Sequence, residues 1–216
     1  MEDREPMTAK TTILVVNGDD FGLSEAINRG MLAAHETCIL RSTSIMPNGP
    51  AFEDAVRIAL EHPSLDVGIH LTLTGEPSVA PAGELRSLVN DEGFLPESSR
   101  MFTRGLLSRR FSIGDVQTEM RAQIEHVLEA GIEPSHLDSH QHVHMLPAVF
   151  AVALDLAREY GIPTIRVSVE RAVLSSGGFF ARLIQTALLP RIDRVRLDQV
   201  RNAGLHTADW FWGLGM

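Results

Sequence analysis

Short apolar runs alternate along this chain with longer stretches in which apolar residues recur every three or four positions. The runs include ILVV at 13–16 and DVGIHLTL at 66–73, while Val116, Met120 and Ile124 repeat at helical spacing. Runs of the first kind predict buried strands, and repeats of the second kind predict amphipathic helices. Their alternation predicts an α/β fold, with a parallel sheet that helices cover in a barrel or an open arrangement.

The predicted elements follow one another from residue 13 to about residue 197. The strands are ILVV before Asp19, then 41–46, 66–73, 134–139, 163–168 and 194–197. The helices are one capped by Ser24, then 51–60, 115–130, 146–160 and 178–189. Residues 75–114 interrupt this order with glycine, proline and serine and a short helix around 84–89, which predicts an insertion that walls or covers a site. We therefore expect one domain over residues 1–216, with a flexible N-terminus at 1–10.

Composition and charge narrow the class of protein. The chain of 216 residues is 44% hydrophobic and 22% charged, and it has no apolar run of roughly 18 residues or more, which argues against a membrane span. A net charge of −9 argues against nucleic acid as a partner. Residues 1–10 lack the apolar segment of a secretory signal, and Cys38 is the only cysteine, so we expect a cytoplasmic protein without intrachain disulfides. The sequence leaves the oligomeric state open, and a homodimer is compatible with it.

Polar side chains stand at or just past the ends of four predicted strands. They are Asp19 and Asp20, His70, the segment 138–144, and Arg166. In parallel α/β folds the carboxyl ends of the strands share one face, and that face holds the active site. The sequence therefore predicts a single cluster of titratable groups.

Aspartate and histidine side chains supply oxygen and nitrogen ligands, and the chain lacks the cysteines of a thiolate site. Such a ligand set suits Zn²⁺, Co²⁺, Mn²⁺ or Mg²⁺. Neighbouring side chains on an extended strand point to opposite faces, so Asp19 and Asp20 are expected to divide metal binding and proton acceptance between them. Taken alone, the pair is compatible with a helix cap or turn, and His70 is compatible with a packed strand residue.

The segment HLDSHQHVH places His136, His140, His142 and His144 within nine residues. On an extended backbone the last three share a face, and on a helical backbone His140 and His144 do, so a pair converges in either case. Some of these rings are expected to orient their neighbours instead of binding the ion, and Asp138 can give the same support. A purely structural role for the histidines is the alternative.

Four segments of the chain resemble successive motifs of one family. They are NGDDFGLS, GIHLTLTGEP, AGIEPSHLDSHQHVHMLP and GIPTIRV, and together they cover about residues 11–170. In this order and at these separations they resemble the YdjC-like carbohydrate deacetylase family. The resemblance implies an irregular (β/α) barrel related to polysaccharide deacetylases. It also implies one divalent metal ion, with Mg²⁺ or Zn²⁺ foremost, and the hydrolysis of an N-acetyl group on an amino sugar.

The resemblance further implies roles for individual residues. The first carboxylate of DDFG implies Asp19 as the general base, and the second implies Asp20 as a metal ligand. The matching histidines imply His70 and His140 as the other two ligands. Arg166 stands where a buried arginine could orient the carboxylates.

Two features depart from the family pattern. Gly18 replaces the usual alanine of NADDFG, which adds backbone freedom and removes no ligand. Family members generally continue for several tens of residues to a histidine that can act as general acid, whereas this sequence stops at DWFWGLGM. We therefore expect either a truncated sequence or incomplete machinery, with the proton for the leaving amine coming from His142, His144 or a residue beyond Met216. Of these, His144 is assigned a catalytic role and His142 a contact with substrate.

The aromatic residues Trp210, Phe211 and Trp212 are expected to form a sugar-stacking wall or an edge of the core, and Trp210 and Trp212 are assigned to substrate binding. A different metal hydrolase, such as a phosphoesterase, and a non-catalytic sugar-binding module are the alternatives to a deacetylase. The sugar stays open among a chitooligosaccharide, diacetylchitobiose and an acetylated glycolipid of the hopanoid-associated branch. The choice among them is expected to lie in residues 75–114 and in a segment beyond Met216.

Overall fold

A parallel sheet organises the fold. The computed structural model describes residues 12–168 and 189–213 of the chain. The strands are β1 (Asn17–Phe21), β2 (Ser42–Ile45), β3 (Asp66–Leu71), β4 (His136–Ser139) and β5 (Thr164–Ile165). They pair in parallel in the order β1-β2-β3-β4-β5. The predicted α/β class is confirmed, and this sequential order is that of a (β/α) barrel wall, in contrast to the reversing order of doubly wound sheets.

Six α-helices accompany the strands in the described residues. They are α1 (Glu25–Thr37), α2 (Phe52–Glu61), α3 (Ser99–Leu107), α4 (Ile113–Glu129), α5 (Pro147–Glu159) and α6 (Leu189–Asn202). Ser24 caps α1 as predicted, because its side chain accepts a hydrogen bond from the Ile27 N–H. None of the helices in this part of the chain has the length and apolar character that crossing a membrane requires.

Two predicted elements lie near the C-terminus. The strand predicted at 194–197 is wrong, because these residues belong to α6. The apolar residues Val195 and Leu197 alternate as in a strand, but Val195 is 58% exposed and the buried position is Val200, three residues after Leu197, which is helical spacing. The helix predicted at 178–189 lies outside the described residues except for Leu189.

The first predicted strand is displaced. The run ILVV was expected to form a buried strand, yet β1 begins only at Asn17. Ile13, Leu14 and Val15 are 83%, 79% and 67% exposed, respectively. An apolar run signals a strand only where other elements cover it, and no described element covers these three side chains. Consequently, Asp19 and Asp20 lie within β1 and not after it.

The sheet has a polar face and an apolar face. The register places Ser44 opposite Gly68 and His70 opposite Asp138, and alternate residues of a strand share a face. Across the polar face, Ser44 Oγ lies 3.0 Å from His136 Nε2 and donates to Asp138 Oδ2 at 2.8 Å. Side chains of the intervening positions pack with the helices in the hydrophobic core: Ile45, Val67, Ile69, Leu71, Leu137 and Ile165. The strands therefore bury their apolar residues under the helices and gather their polar residues on the other side.

Residues 75–114 hold a 3₁₀ turn at Ala82–Glu84, near the short helix predicted at 84–89, and the helix α3, which was not predicted. Glu119 of α4 fixes this stretch, since its buried carboxylate accepts the backbone N–H groups of Val79 and Ala80, both at 3.0 Å. Gln123, one turn further on, donates to Glu119 and to the Thr72 carbonyl, just past β3. The interpretation of this stretch as an insertion stays a prediction.

Gly68 provides a test of the close packing on the polar face. A Cβ atom at this position would lie 2.3–2.4 Å from three atoms of the His136 ring, which must then move. We expect Gly68→Ala to lower the free energy of unfolding by roughly 1–3 kcal/mol, as overpacking does. Denaturant unfolding monitored by circular dichroism measures this change.

Gly30→Ala in α1 is the matched control, because a Cβ atom there meets nothing within 4 Å. We expect this variant to gain up to about 1 kcal/mol from helix propensity. Equal stability of Gly68→Ala and wild type would contradict the packing described here.

Candidate active site

The backbone at Asp20 is unusual and brings two adjacent carboxylates to one site. Asp20 has φ of 66°, in the left-handed region, and the pairing of β1 with β2 shifts register between Gly18 and Phe21. On a regular strand Asp19 and Asp20 would point to opposite faces. The bulge removes this alternation, so that both side chains reach His70 or its partners. Aspartate is one of the few side chains enriched in this conformation.

Asp20, His70 and His140 form a compact triad. Asp20 Oδ1 lies 2.8 Å from His140 Nδ1 and 3.2 Å from His70 Nε2. Hydrogen bonds from His140 and then His70 hold the pKa of Asp20 well below its usual range. One carboxylate oxygen and two imidazole nitrogens at one point are a donor set for a divalent ion.

His70 shows why a divalent ion fits this triad. Its Nδ1 lies 2.7 Å from Asp138 Oδ1 and donates to it, which directs Nε2 towards Asp20. Although burial opposes the charged imidazolium, the carboxylates around the ring, Asp138 first among them, raise the pKa of His70 to about 9. A bound cation would supply the positive charge that the ring proton otherwise gives to Asp20.

Asp19 has a different partner from Asp20. Arg166 donates from Nη1 to Asp19 Oδ2 at 2.6 Å and from Nη2 to Asp19 Oδ1 at 2.8 Å. The Asp19 side chain is 37% exposed, whereas that of Arg166 is only 10% exposed. This bidentate pair fixes the orientation of a carboxylate that solvent can still reach.

Asp138 lies beneath both groups and is fully buried. It accepts hydrogen bonds from His70 Nδ1 and, at 2.8 Å, from Ser44 Oγ, and its Oδ2 forms a salt bridge with Arg166 Nη2 at 2.7 Å. Burial works against its charge, but His70 and Arg166 outweigh burial and hold the pKa of Asp138 well below its usual range. Asp138 is therefore a buried carboxylate whose oxygens are satisfied by cationic and neutral donors.

A second group of possible ligands consists of Asp19, His70 and Asp138. Arg166 forms ion pairs with both of its carboxylates, and Asp138 has no accessible surface. A guanidinium that already neutralises two carboxylates disfavours a cation beside them. The geometry thus favours Asp20, His70 and His140 as the metal ligands among the described residues.

The backbone adopts a left-handed conformation shortly after β4. Gln141 and His142 have φ of 54° and 53° inside the 3₁₀ segment His140–Met145. Neither the extended nor the helical arrangement expected from sequence therefore applies to all three histidines. Gln141 Oε1 accepts the Ser99 N–H at 2.8 Å and so ties this segment to the start of α3. His142 Nδ1 lies 3.0 Å from Ser168 Oγ, and burial, followed by the charge of Arg166, lowers its pKa.

His144 lies in the interior. Its Nε2 donates to the Arg166 carbonyl at 2.8 Å, and its Nδ1 lies 2.5 Å from Ser139 Oγ. The side chain is fully buried, and this burial lowers the pKa of His144 to about 4. A ring with both nitrogens engaged is suited to supporting the backbone of Arg166 and poorly suited to proton donation, the role assigned from sequence.

Phe211 is the aromatic residue that contacts this cluster. Its ring lies 5.1 Å from the Arg166 guanidinium carbon and 5.7 Å, edge to face, from the His142 ring. Trp210 and Trp212 are 64% and 94% exposed. From the sequence, all three residues of this stretch are expected to form the aromatic surface, and the assignment of Trp210 and Trp212 to substrate binding stays a prediction.

Asn28 is a residue near the site that the sequence analysis did not identify. Its buried side chain accepts the Gly22 N–H at 2.8 Å and donates to Ala51 and Asp54. It therefore ties the turn after the two aspartates to the start of α2. An asparagine at helical spacing with apolar residues carries no sequence signal for this role.

The chain is similar to known proteins over most of its length. Residues 13–216 match the family described as YdjC-like protein. Carbohydrate deacetylases of Geobacillus stearothermophilus and Brevibacillus brevis are each 40% identical to the chain, over 157 and 151 residues. These alignments cover 73% and 69% of this chain but only 60% and 57% of the two relatives.

A solved structure shares the fold. It is that of an Enterococcus faecalis V583 protein whose proposed role is cellobiose-phosphate cleavage, with a TM-score of 0.68 and 28% sequence identity. The match covers 90% of this chain and 66% of that one. The irregular (β/α) barrel predicted from the sequence is consistent with this likeness.

The buried His144 predicts a pH dependence of stability. Its pKa of about 4 in the folded protein lies below the ordinary value of 6.5, so below pH 6.5 the unfolded chain takes up a proton that the folded chain does not. The contribution of His144 is complete above the unfolded value and is lost as pH falls towards the folded one, by up to roughly 3 kcal/mol.

We expect His144→Gln to lower stability at neutral pH and to flatten its decline between about pH 6.5 and about pH 4. Urea unfolding of both proteins across this range measures the two slopes. Parallel curves would contradict the assignment of a neutral, buried ring.

Proposed function

Because the chain belongs to the YdjC-like protein family, we propose that it is a metal-dependent carbohydrate deacetylase that hydrolyses the N-acetyl group of an amino sugar. The observation that carries this proposal is the separate placement of two adjacent carboxylates. Asp20 meets His70 and His140, while Asp19 is held by Arg166 within reach of solvent. A metal-dependent hydrolysis of an amide can use one carboxylate to bind the metal and a second to accept the proton of the water.

Asp20, His70 and His140 are the residues that would hold the divalent ion. When bound, this ion would polarise the acetamide carbonyl and lower the pKa of a water molecule. Two imidazoles and one carboxylate suit Zn²⁺ and Co²⁺, and Mg²⁺ or Mn²⁺ would use the same carboxylate with more water ligands.

Asp19 would accept the proton of the attacking water. Its two oxygens are held by the guanidinium of Arg166, which keeps the carboxylate in one orientation as the water oxygen adds to the carbonyl carbon. This arrangement gives Arg166 the role of positioning the base.

The C–N bond then breaks, and the leaving amine must take up a proton. His142 is the better placed of the two remaining histidines, because its ring contacts Phe211 at the cluster while both nitrogens of His144 are engaged in the interior. We therefore propose His142 as the substrate contact that supplies this proton, and a supporting role for His144.

A competing activity comes from the Enterococcus faecalis neighbour, whose proposed role is cellobiose-phosphate cleavage. The relatives that are 40% identical to this chain are carbohydrate deacetylases, whereas this neighbour is 28% identical. Deacetylation is therefore the better supported activity, and a phosphorylated disaccharide belongs in the same assay.

The test is acetate release from a panel of N-acetylated sugars by the protein as purified, after chelation, and after addition of Zn²⁺, Co²⁺ or Mg²⁺. We expect release that chelation abolishes and metal restores. Cleavage of cellobiose phosphate without acetate release would favour the competing activity, and no turnover of any compound would favour a sugar-binding module.

Asp19→Asn is the companion variant in this assay. It should lose roughly 10²-fold or more in kcat, because the water loses its proton acceptor, while still binding metal through Asp20, His70 and His140. Calorimetric metal titration checks the second expectation. Unchanged turnover would remove Asp19 from the role of base.

Phe211 is proposed to form an apolar wall beside His142 and Arg166. Phe211→Ala should raise KM several-fold, because it removes an aromatic surface on which a sugar ring can pack. Trp212→Ala should have a smaller effect, since Trp212 is 94% exposed. Steady-state kinetics of the two variants decide between them, and a larger effect of Trp212→Ala would restore the assignment made from sequence.

A further inference from the structure

Asp138 contacts both the proposed metal ligand His70 and Arg166, which holds the proposed base, and it is not exposed to solvent. Its carboxylate bonds the metal ligand His70 on one side and the base-holding Arg166 on the other, at 2.7 Å each. Its side chain is fully buried, so it has no direct access to substrate. Asp138 can therefore influence the reaction only through its neighbours, of which His70 and Arg166 are the two charged ones.

The contact with His70 is built into the sheet. His70 and Asp138 are register partners on β3 and β4, so the backbone pairing places their side chains next to each other on the polar face. Asp138 Oδ1 accepts the Nδ1 proton of His70, which leaves Nε2 facing Asp20. Asp138 thus selects the tautomer and the ring orientation that metal binding needs.

The contact with Arg166 is shared with the base. Arg166 Nη2 forms a salt bridge with Asp138 Oδ2 at 2.7 Å and donates a hydrogen bond to Asp19 Oδ1 at 2.8 Å. A planar guanidinium held from below by a buried carboxylate has little freedom to rotate. The position of Asp19 therefore depends in part on Asp138, through Arg166, while Asn17 Nδ2 also donates to Asp19 Oδ1 at 2.8 Å.

We propose that Asp138 is a positioning residue that couples the metal ligand His70 to the base Asp19 through Arg166. This inference rests on the proposed function for the role of Asp19. Loss of Asp138 would then damage metal binding and proton transfer together, although Asp138 takes part in neither directly. A residue that only balances the buried charge of Arg166 would leave metal affinity unchanged.

The test compares Asp138→Asn with wild type in two measurements. Calorimetric titration with Zn²⁺ or Co²⁺, in the absence of substrate, should show a roughly 10- to 100-fold loss of metal affinity. Acetate release at saturating metal should still show kcat lowered by about 10-fold or more at a similar KM, because Asp19 is no longer held in place. Recovery of full kcat at saturating metal would overturn the coupling, and so would an unchanged metal affinity.

Two further variants sharpen the result. Asp138→Glu keeps the charge but displaces the carboxylate by one methylene, so it should show the same two losses if Asp138→Asn proves too unstable to study. Ser44→Ala removes the third partner of Asp138 and leaves both ionic contacts intact, so its metal affinity and kcat should stay within about threefold of wild type. Losses in Ser44→Ala as large as those in Asp138→Asn would overturn the proposal.

A double variant tests the route through Asp19. At saturating metal, Asp19→Asn combined with Asp138→Asn should have the same kcat as Asp19→Asn alone, because the base that Asp138 positions is already absent. Multiplied losses would overturn the route. A wild-type protein that releases no acetate would refute the proposed function. In that case an unchanged metal affinity of Asp138→Asn would overturn the inference, and a reduced affinity would support its His70 half.

Discussion

The negative charge of Asp138, buried with no accessible surface, is the constraint on which the site depends. An isolated carboxylate in the interior is costly unless cations and hydrogen-bond donors surround it. Here His70, Arg166 and Ser44 fill that requirement, and each comes from a different strand or the residue next to one. Meeting the demand of one buried group therefore draws β2, β3, β4 and the end of β5 into a fixed arrangement around it.

The sheet can accommodate such a buried charge because it has one apolar face and one polar face. Apolar residues such as Ile69 and Leu137 lie on the side that faces the helices, where they are part of the hydrophobic core. The polar residues of the same strands point away from this core, and they form hydrogen bonds with one another on the opposite face of the sheet. Function and stability thus occupy alternate positions of the same strands.

Sequence reasoning placed the convergence of Asp20, His70 and His140 correctly in outline, since the ends of parallel strands must meet at one face. It failed where an outcome depends on distant contacts. The apolar run at Ile13, Leu14 and Val15 predicts a buried strand, yet these side chains are exposed. The sequence of a run does not show whether another element covers it. The left-handed residues Gln141 and His142 are equally invisible, because their backbone conformation is imposed by the surrounding fold.

The left-handed backbone of Asp20 limits what evolution can do at this position. Two independent demands apply there: a short carboxylate for the proposed ligand set and a side chain tolerated at φ of 66°. Asparagine satisfies the backbone but not the charge, glycine satisfies only the backbone, and glutamate keeps the charge while disfavouring the conformation. None of these three substitutions keeps both the charge and the backbone conformation. We therefore expect aspartate to be retained at position 20.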